Sequence, residues 1–409
     1  MRVLHTSDWH LGQRLVNLER TEEHEHFLNW LLKTIEQEQV EVLLMSGDVF
    51  DNGSPSNTAL KLYYNFLRQV CGTCCRHIII TGGNHDSIST LNAPKELLEY
   101  FNIRVIGGAS ANPLDELIEL HCDKGELRLV VCAVPFLRDK DIRLSMPGES
   151  FEEREQRIKQ GIAAHYDAFV PHVLSYKSQN IPVVAMGHLF AAGGSASESE
   201  KEIHVGNLGQ IGADQFPKAF DYVALGHLHR PQQVNKTHHI RYSGSPIPLS
   251  FSEVSDTKVI FILDFKDGRL ADLREVEIPC CRKLVRFRGS LEKVLAHLAA
   301  YDNGAYTLPA WAEVQLELDA PLPDLNQRLE EVLQHRQQEL QVLIHRPPIY
   351  QKMAQTLEQQ VHEESDLHIL TEKDVFLKRC QSAFPDSDHS ELVSTFSELL
   401  ELMRQEVES

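Results

Sequence analysis

The sequence lacks the features that would place it in a membrane or outside the cell. No apolar run reaches the ~20 residues that a transmembrane helix needs, and the first residues, MRVLHTSDWH, contain no apolar signal-peptide core. We therefore expect a cytoplasmic protein. The sequence also contains no G-x-x-x-x-G-K-[ST] pattern, the loop that cradles nucleotide phosphates, so we expect no nucleotide site on this chain.

Cysteine is present, but not in a disulfide pattern. The eight cysteines show none of the regular spacing that secreted, disulfide-rich proteins have. The stretch CGTCC at 71–75 contains one C-x-x-C pair, yet no second pair lies at zinc spacing. We interpret these cysteines as reduced thiols, which agrees with a cytoplasmic location.

Positive charge is scarce. The chain has 40 Lys and Arg against 59 Asp and Glu, a formal net charge of −19. This argues against a general nucleic-acid binder, whose affinity depends on cationic contacts with phosphates. The last 60 residues are especially acidic, with 5 basic and 13 acidic side chains. A capping box of Thr371 and Asp374 predicts a helix over 372–382, and a second amphipathic helix follows, with its apolar face formed by Leu392, Phe396, Leu399 and Met403. These two faces either pack on their own domain or dock on a partner.

Short apolar runs alternate with helix-like segments over the first part of the chain, which indicates an α/β architecture. A helix is predicted over 20–39, where apolar residues recur at helical spacing and His24 and His26 are expected at the surface. Five apolar runs are typical of strands: RVLHTSD at 2–8, VEVLLMSGD at 40–48, HIIITGGNHD at 77–86, IPVVAMGH at 181–188 and YVALGHLH at 222–229.

Each of these runs ends in polar residues. Functional groups of open α/β sheets collect at the carboxyl ends of strands, and those found here are Asp8, His10, Asp48, Asn84, His85, Asp86, His188, His227 and His229. Any one of these short motifs alone is ordinary loop chemistry, but five in this context indicate a common site. Carboxylate, amide and imidazole ligands without thiolate suit Mn²⁺, Fe²⁺ or Zn²⁺. The pair in GHLH could be solvated, or could chelate one ion from one strand face.

A different pattern follows at 279–346, which alternates strand, helix, strand, helix and strand and predicts a small α+β domain that ends at RPPIY, 346–350. Its first strand contains a basic cluster, Arg282, Lys283, Arg286 and Arg288. This cluster either contacts a phosphate backbone without reading sequence or is an ordinary solvated strand face.

The ordered set D-x-H, G-D-x-x-D, G-N-H-D, G-H and G-H-x-H resembles the calcineurin-like metallophosphoesterase superfamily. The blocks MRVLHTSDWHLGQ, GDVFDNGSPS, GNHDS and RYSGSPIPLSFSE further resemble the SbcD family of bacterial nuclease subunits, and general phosphoesterases do not share the last block. This resemblance covers essentially the whole chain and is clearest through residue 265. It implies a four-layer α/β/β/α sandwich with a small α+β capping domain and C-terminal helices.

The resemblance also implies roles for the site residues. Asp8, His10 and His229 would hold one metal ion, Asn84, His188 and His227 a second, and Asp48 would bridge the two. His85 would be the acid that assists the leaving oxygen rather than a ligand, and Asp86 would orient a neighbouring group. Archaeal relatives have a histidine where this chain has Asp51, so any DNA-handling role of that histidine does not carry over.

The function implied by the resemblance is a two-metal DNA nuclease, with Mn²⁺ as the favoured ion. It would trim duplex ends and cut hairpins or single strands, in DNA recombination, replication and double-strand-break processing. The implied partner is the ATPase SbcC, in an assembly of two SbcC and two SbcD chains. A homodimer face could lie on the predicted helices 55–70 and 93–101, or these helices could simply cover the sheet.

Two other functions are compatible with these patterns. A small-substrate metallophosphoesterase, either a nucleotide phosphatase or a cyclic-nucleotide phosphodiesterase, would need neither the extra domain nor the tail. A scaffold without activity would not need the full ligand set or His85. Pattern and resemblance together predict a nuclease domain at 1–275, a capping and DNA-contact domain at 276–348 and partner-binding helices at 349–409.

Overall fold

The computed structural model describes residues 1–143, 149–191, 211–318, 322, 324–334 and 336–350, with 376, 380, 392, 395 and 396 as single positions. Most of residues 1–277 belong to two six-stranded sheets. The strands in this part are β1 (Arg2–Thr6), β2 (Arg14–Leu15), β3 (Leu18–Glu19), β4 (Val42–Ser46), β5 (His77–Thr81), β6 (Ile103–Ile106), β7 (Leu117–His121), β8 (Leu127–Ala133), β9 (Val183–His188), β10 (Tyr222–Gly226), β11 (Gln232–Val234), β12 (Thr237–Tyr242), β13 (Val259–Lys266) and β14 (Arg269–Glu277).

The two sheets share a plan of parallel strands with antiparallel edges. The first sheet has the order β14-β13-β1-β4-β5-β6, and the second the order β11-β12-β10-β9-β8-β7. Strands β1, β4, β5 and β6 are parallel, as are β8, β9, β10 and β12. All five strand runs predicted from the sequence are strands here, and each ends before its polar residues or at the first of them.

Helices cover the outer face of each sheet. They are α1 (Thr21–Gln37), α2 (Asn57–Val70), α3 (Ile88–Asn92), α4 (Lys95–Glu99), α5 (Asp139–Ile142), α6 (Phe151–Asp167) and α7 (Val170–Ser178). Short 3-10 turns lie at Pro113–Glu116, Ala213–Gln215 and Phe251–Glu253. None of the helices in the described ranges is long and apolar enough to span a bilayer.

Three apolar cores separate the layers. Side chains of α1 and α2, such as Phe27 and Phe66, pack on the outer face of the first sheet, and Ile162 and Val173 of α6 and α7 pack on the outer face of the second. A third core, which includes Leu44, lies between the two sheets. Because the inner strands are buried on both faces, their sequences are almost continuously apolar. The expected four-layer α/β/β/α sandwich is confirmed.

One expectation for helix α1 is wrong. His24 is fully buried, and its Nε2–H donates to the Trp9 carbonyl oxygen at 3.0 Å. Helical periodicity predicted a solvated first turn, but the loop after β1 folds over that turn and covers it. His26, two residues further along, is exposed as expected.

The next segment forms a small sheet with its own core. Strands β15 (Leu284–Gly289), β16 (Ala310–Leu318) and β17 (Leu340–Tyr350) are parallel in that order, connected by α8 (Leu291–Ala299) and α9 (Leu325–Leu333). Ser290 caps α8 by accepting from the Lys293 amide. The predicted order of elements is confirmed, but RPPIY does not end the unit, since β17 continues through it to Tyr350. A strand that contains prolines is tolerated here because β17 is at the edge.

The predicted tail helices over 372–382 and 392–403 fall almost entirely outside the described residues. The single positions that are described there are helical, and Phe376 stacks on Phe396 with 4.1 Å between ring centroids.

Candidate metal centre

The first two site residues follow β1 in a strained turn. Asp8 and His10 have φ angles of 52° and 47°, a region that residues with side chains seldom adopt. The amides of Asp8 and His10 donate to the carbonyl oxygens of Gly47 and Asp48, both at 3.0 Å. Because the loop after β1 is fastened in this way to the loop after β4, both side chains stay buried at the sheet edge.

Asp48 lies at the centre of the site. Its Oδ2 is 3.6 Å from His10 Nε2 and 3.2 Å from His188 Nε2, and its Oδ1 accepts from the His85 amide at 2.9 Å. One carboxylate oxygen therefore faces ligand nitrogens from both sheets. This is the position expected of a bridging ligand between two ions.

A second group of ligand atoms converges on Asn84. The Asn84 Oδ1 is 3.0 Å from His188 Nε2 and 3.0 Å from His227 Nδ1. The other nitrogen of His188, Nδ1, donates to the Ser46 carbonyl at 3.0 Å. That bond fixes the tautomer, so Nε2 presents its lone pair to the site.

His229 lies on the opposite side from His227. Its ring is 5.0 Å from that of His10, whereas the His227 ring is 5.2 Å from that of His188. Strand β10 ends at Gly226, and His227 has a φ of 103°. The alternation of a strand therefore no longer applies, and the two histidines face different groups of side chains.

His85 and Asp86 hold the loop after β5. His85 Nδ1 donates to the Asp51 carbonyl at 2.7 Å, and its ring is 4.9 Å from that of His10. Asp86 is buried and accepts from the amides of Val49, Phe50 and Gly83 at 2.9–3.1 Å. The Asp86 carboxylate thus ties the loop after β4 to the loop after β5 and keeps Asp48 beside His85.

Charge is concentrated in the site. Burial opposes the charge on His10 and His188, but the carboxylates raise both pKa values to about 9: Asp51 and Asp48 act on His10, and Asp48 acts on His188. Burial disfavours the Asp48 carboxylate as well, yet the histidines around it hold its pKa below the ordinary value. Burial and the charge of Asp48 raise the pKa of Asp86 to about 6.

The donor set fits two divalent ions. Ligand atoms lie within 4.8 Å of one another in two disjoint sets, one of Asp8, His10 and His229 and the other of Asp48, His188 and His227. His10 Nε2 is buried and has no hydrogen-bond partner in the described part of the chain. A buried imidazole nitrogen without a partner is costly unless it binds a ligand. His85 also lies within the same distance of His10 and Asp48, so geometry alone does not separate it from the ligands.

The predicted DNA-contact residues are in a less open setting than the sequence implies. Arg282 is buried, which contradicts its placement on an exposed strand face, because its guanidinium pairs with Glu23 and lies 4.1 Å from the Trp311 ring centroid. Arg286 and Arg288 are exposed and pair with Glu313 and Glu317 of the adjacent strand. Lys283 is exposed beside Tyr306.

Sequence reasoning missed the residues that support His229. Glu253 Oε1 lies 3.6 Å from His229 Nδ1, and Lys258 Nζ donates to the His229 carbonyl at 2.9 Å. Burial raises the pKa of Glu253, but the charges of Lys258 and His229 outweigh it and hold that pKa below its ordinary value. Glu253 lies at the end of the block RYSGSPIPLSFSE and Lys258 shortly after it, and a lysine beside the apolar run VIFIL was the available signal.

Comparison with known proteins agrees with this geometry. The family model described as "Calcineurin-like phosphoesterase" matches residues 1–231, and "Type 5 capsule protein repressor C-terminal domain" matches residues 280–384. The chain is 35% identical to SbcD, the nuclease subunit of the SbcCD complex, of Escherichia coli over 331 residues, 81% of each chain. It is 31% identical to SbcD of Bacillus subtilis over 416 residues, 99% of each chain.

A third relative, SbcD of Rhodobacter capsulatus, is 35% identical over 350 residues, which cover 82% of this chain and 84% of that one. These matches extend well beyond the site into the small sheet. The chain therefore belongs to the calcineurin-like phosphoesterase family and, within it, to the SbcD proteins of SbcCD nucleases.

Proposed function

We propose that this chain is a metal-dependent DNA nuclease that hydrolyses phosphodiester bonds as the SbcD component of an SbcCD-type complex. It would act as an exonuclease on duplex ends and as an endonuclease on hairpins and single strands, in recombination, replication and double-strand-break processing. The observation that carries the proposal is Asp48 Oδ2, which lies between His10 of one ligand group and His188 of the other. The full ligand set argues against an inactive scaffold.

Two divalent ions, with Mn²⁺ as the proposed physiological ion, would be held by Asp8, His10 and His229 and by Asn84, His188 and His227, with Asp48 shared. When bound, such a pair supplies a nucleophile at neutral pH and neutralises charge that develops on the phosphate. His85 donates its Nδ1–H to the Asp51 carbonyl, so its Nε2 is the nitrogen that gives a proton to the leaving sugar oxygen. Asp86 holds the main chain on which both Asp48 and His85 depend.

The ion assignment has a direct test. Replacing His227 by Gln should weaken the ion at Asn84 and His188 first, and replacing His229 by Gln should weaken the ion at Asp8 and His10 first. Calorimetric titration of Mn²⁺ into each variant should then show one tight site instead of two. If both substitutions weaken the same ion, the two histidines share a site and the assignment is wrong.

The activity test is hairpin-DNA cleavage in Mn²⁺, with and without SbcC and ATP. Cleavage that requires the metal, and that SbcC with ATP stimulates, supports the nuclease. If the complex leaves DNA intact while the chain hydrolyses a small phosphodiester, the small-substrate phosphoesterase replaces it. The small sheet supports the nuclease, since a small-substrate enzyme would not need it.

DNA contact is proposed at Lys283, Arg286 and Arg288. Arg282, the fourth residue of that cluster, is buried against Glu23 and Trp311 and so supports the placement of this strand rather than contact. Replacing Arg288 by Gln should weaken binding to all DNA sequences alike and reduce the salt dependence by about one phosphate contact. An unchanged salt slope would remove this surface from the proposal.

Partner contacts and domain limits complete the proposal. We propose nuclease, capping and partner-binding units at 1–275, 276–348 and 349–409, two copies of this chain with two of SbcC, and a cytoplasmic location, which the free cysteines support. The exposed side chains of Leu97, Tyr100 and Phe101 support a homodimer contact through the nuclease domain. Deleting residues 371–409 should abolish co-purification with SbcC and leave metal binding intact, and survival of co-purification would refute the tail's role.

A further inference from the structure

A buried ion pair lies directly behind His229. Glu253 belongs to the 3-10 turn Phe251–Glu253, and Lys258 immediately precedes β13; both are fully buried, with 2.6 Å between Lys258 Nζ and Glu253 Oε2. Burying two charges costs several kcal/mol, at about the level that their attraction returns, and an apolar pair often stabilises a fold equally well. Stability alone therefore does not account for this pair.

The contacts of the pair converge on one ligand residue. Glu253 Oε1 lies 3.6 Å from His229 Nδ1, while Lys258 Nζ donates to the His229 carbonyl at 2.9 Å and to Ser245 Oγ at 3.0 Å. The Ser245 amide donates to the same carbonyl at 3.1 Å. Both the ring and the main chain of His229 are therefore fixed by these three residues.

The arrangement also selects a nitrogen. With Nδ1 facing a carboxylate, the proton of a neutral His229 lies on Nδ1, and Nε2 is left to face Asp8 and His10. His188 reaches the same end through a main-chain carbonyl, that of Ser46. His229 thus differs from His188 in depending on an ionised side chain, which substitution can remove.

We propose that Glu253 and Lys258 are positioning residues that fix the tautomer and orientation of His229 and thereby the affinity of the ion held with Asp8 and His10. The inference rests on the proposed two-ion site. It predicts a selective effect, because neither residue contacts Asn84, His188 or His227 among the hydrogen bonds and ion pairs described for the chain.

The test compares Glu253→Gln with a matched control. Glu116 is also a fully buried carboxylate paired with a histidine, His165 at 2.8 Å, but that histidine is not a candidate ligand. In Mn²⁺ titrations of the full chain, E253Q should weaken one of the two ions by about 10- to 100-fold and leave the other within about twofold. E116Q should bind both ions as the wild type does. Equal affinities in E253Q and wild type would overturn the proposal.

A second readout needs no metal. In the metal-free, ¹⁵N-histidine-labelled protein, NMR should show a slowly exchanging proton on His229 Nδ1, and E253Q should lose this protection. If that proton is absent, or is unaffected in E253Q, the positioning role fails. If it behaves as expected but the wild type binds no pair of ions, the proposed function fails and the positioning role stands.

The double variant guards against misfolding. E253Q alone leaves Lys258 buried without its carboxylate, which can unfold the chain. Glu253→Gln with Lys258→Met removes both charges and should fold, while still showing the selective loss of one ion. A folded double variant that binds both ions normally would also overturn the proposal.

Discussion

At the scale of single residues, His85 is the side chain whose role is most open to test. Its ring lies beside His10, yet its own hydrogen bonds are to the Asp51 carbonyl through Nδ1 and, through the main chain, to Asp48. His85→Gln should lower the rate of DNA cleavage by about 10²- to 10⁴-fold, the usual contribution of a general acid. Both ions should still bind, because the main-chain bond to Asp48 remains.

The control for His85 is His26→Gln, at an exposed position on α1. It should cleave DNA at the wild-type rate. Rates come from single-turnover cleavage and ion counts from calorimetry on the same preparations. Loss of one ion in H85Q would make His85 a ligand rather than the acid.

Protons compete with metal at His10 and His188. Both have pKa values raised to about 9 by carboxylates that outweigh the effect of burial. The stabilisation that these charges give the metal-free protein is complete below the ordinary pKa of about 6.5 and is lost as pH rises through about 9. Ligation requires neutral imidazole, so ion binding at about pH 7 should release about two protons.

Calorimetry in buffers of different ionisation enthalpy measures this proton release directly. Affinity for the ions should rise between about pH 7 and pH 9, as the two imidazoles lose their protons. His5 is buried and has a pKa lowered by that burial to about 3, so it should not contribute. Binding without proton release would mean that the two site histidines are already neutral.

At the scale of elements, the site depends on how closely the strand ends of the two sheets approach. A Cβ at Gly226, the last residue of β10, would lie 1.8 Å from the Ser46 carbonyl oxygen and 2.9 Å from His188 Nδ1. Those two atoms form the hydrogen bond that orients His188. Gly226→Ala should therefore cost about 1–3 kcal/mol of stability by overpacking and weaken the ion at Asn84 and His188 first.

Gly72→Ala is the matched control, because a Cβ there meets only the Gln69 carbonyl at 3.4 Å. Thermal unfolding and Mn²⁺ titration of both variants test the prediction. If G226A binds Mn²⁺ as the wild type does, the approach of β10 to β4 is not what orients His188.

Much of this level of structure could be predicted from sequence, for a physical reason. Strands buried on both faces are almost continuously apolar, so their carboxyl ends are visible as the points where polar residues begin, as at Asp48 and His188. Parallel strands then bring those ends to one edge. The separation of His227 from His229 followed from Gly226, which ends the strand, together with the family resemblance.

What sequence missed depends on contacts between distant segments. The burial of His24 is set by the loop after β1, and that of Arg282 by Glu23 on α1 and Trp311 on β16. No local periodicity contains such information. Similarly, Glu253 reaches His229 because the chain folds back before β13, which a pattern of apolar residues does not indicate.

At the scale of the whole molecule, a buried ionic cluster joins the small sheet to the nuclease sandwich. Glu23 accepts from Arg20 Nε at 2.9 Å through one oxygen and from Arg282 Nε at 3.1 Å through the other. Arg282 also stacks on Trp311, and Arg20 donates to the carbonyl oxygen of Pro248, in the segment that leads to Glu253. We call these four side chains, Arg20, Glu23, Arg282 and Trp311, the interdomain cluster.

The interdomain cluster should matter for both stability and substrate choice. Glu23→Gln leaves two buried guanidinium groups without a carboxylate, and breaking such a pair costs about 3–5 kcal/mol. Since Arg282 begins the small sheet, its loss of register should reduce hairpin-DNA cleavage more than hydrolysis of a small phosphodiester, which needs only the metal centre. Urea denaturation followed by circular dichroism gives the stability, and the ratio of the two activities gives the effect on substrate choice.

Two comparisons decide whether the cluster acts as a unit. Glu23→Gln combined with Arg282→Met should cost less than the sum of the two single changes, because contacting residues in one network are not additive. Glu19→Gln breaks an exposed pair with Arg14 and should cost less than about 1 kcal/mol. If the single changes add, or if E23Q lowers both activities equally, the cluster stabilises each part separately and does not set the placement of the small sheet over the metal centre.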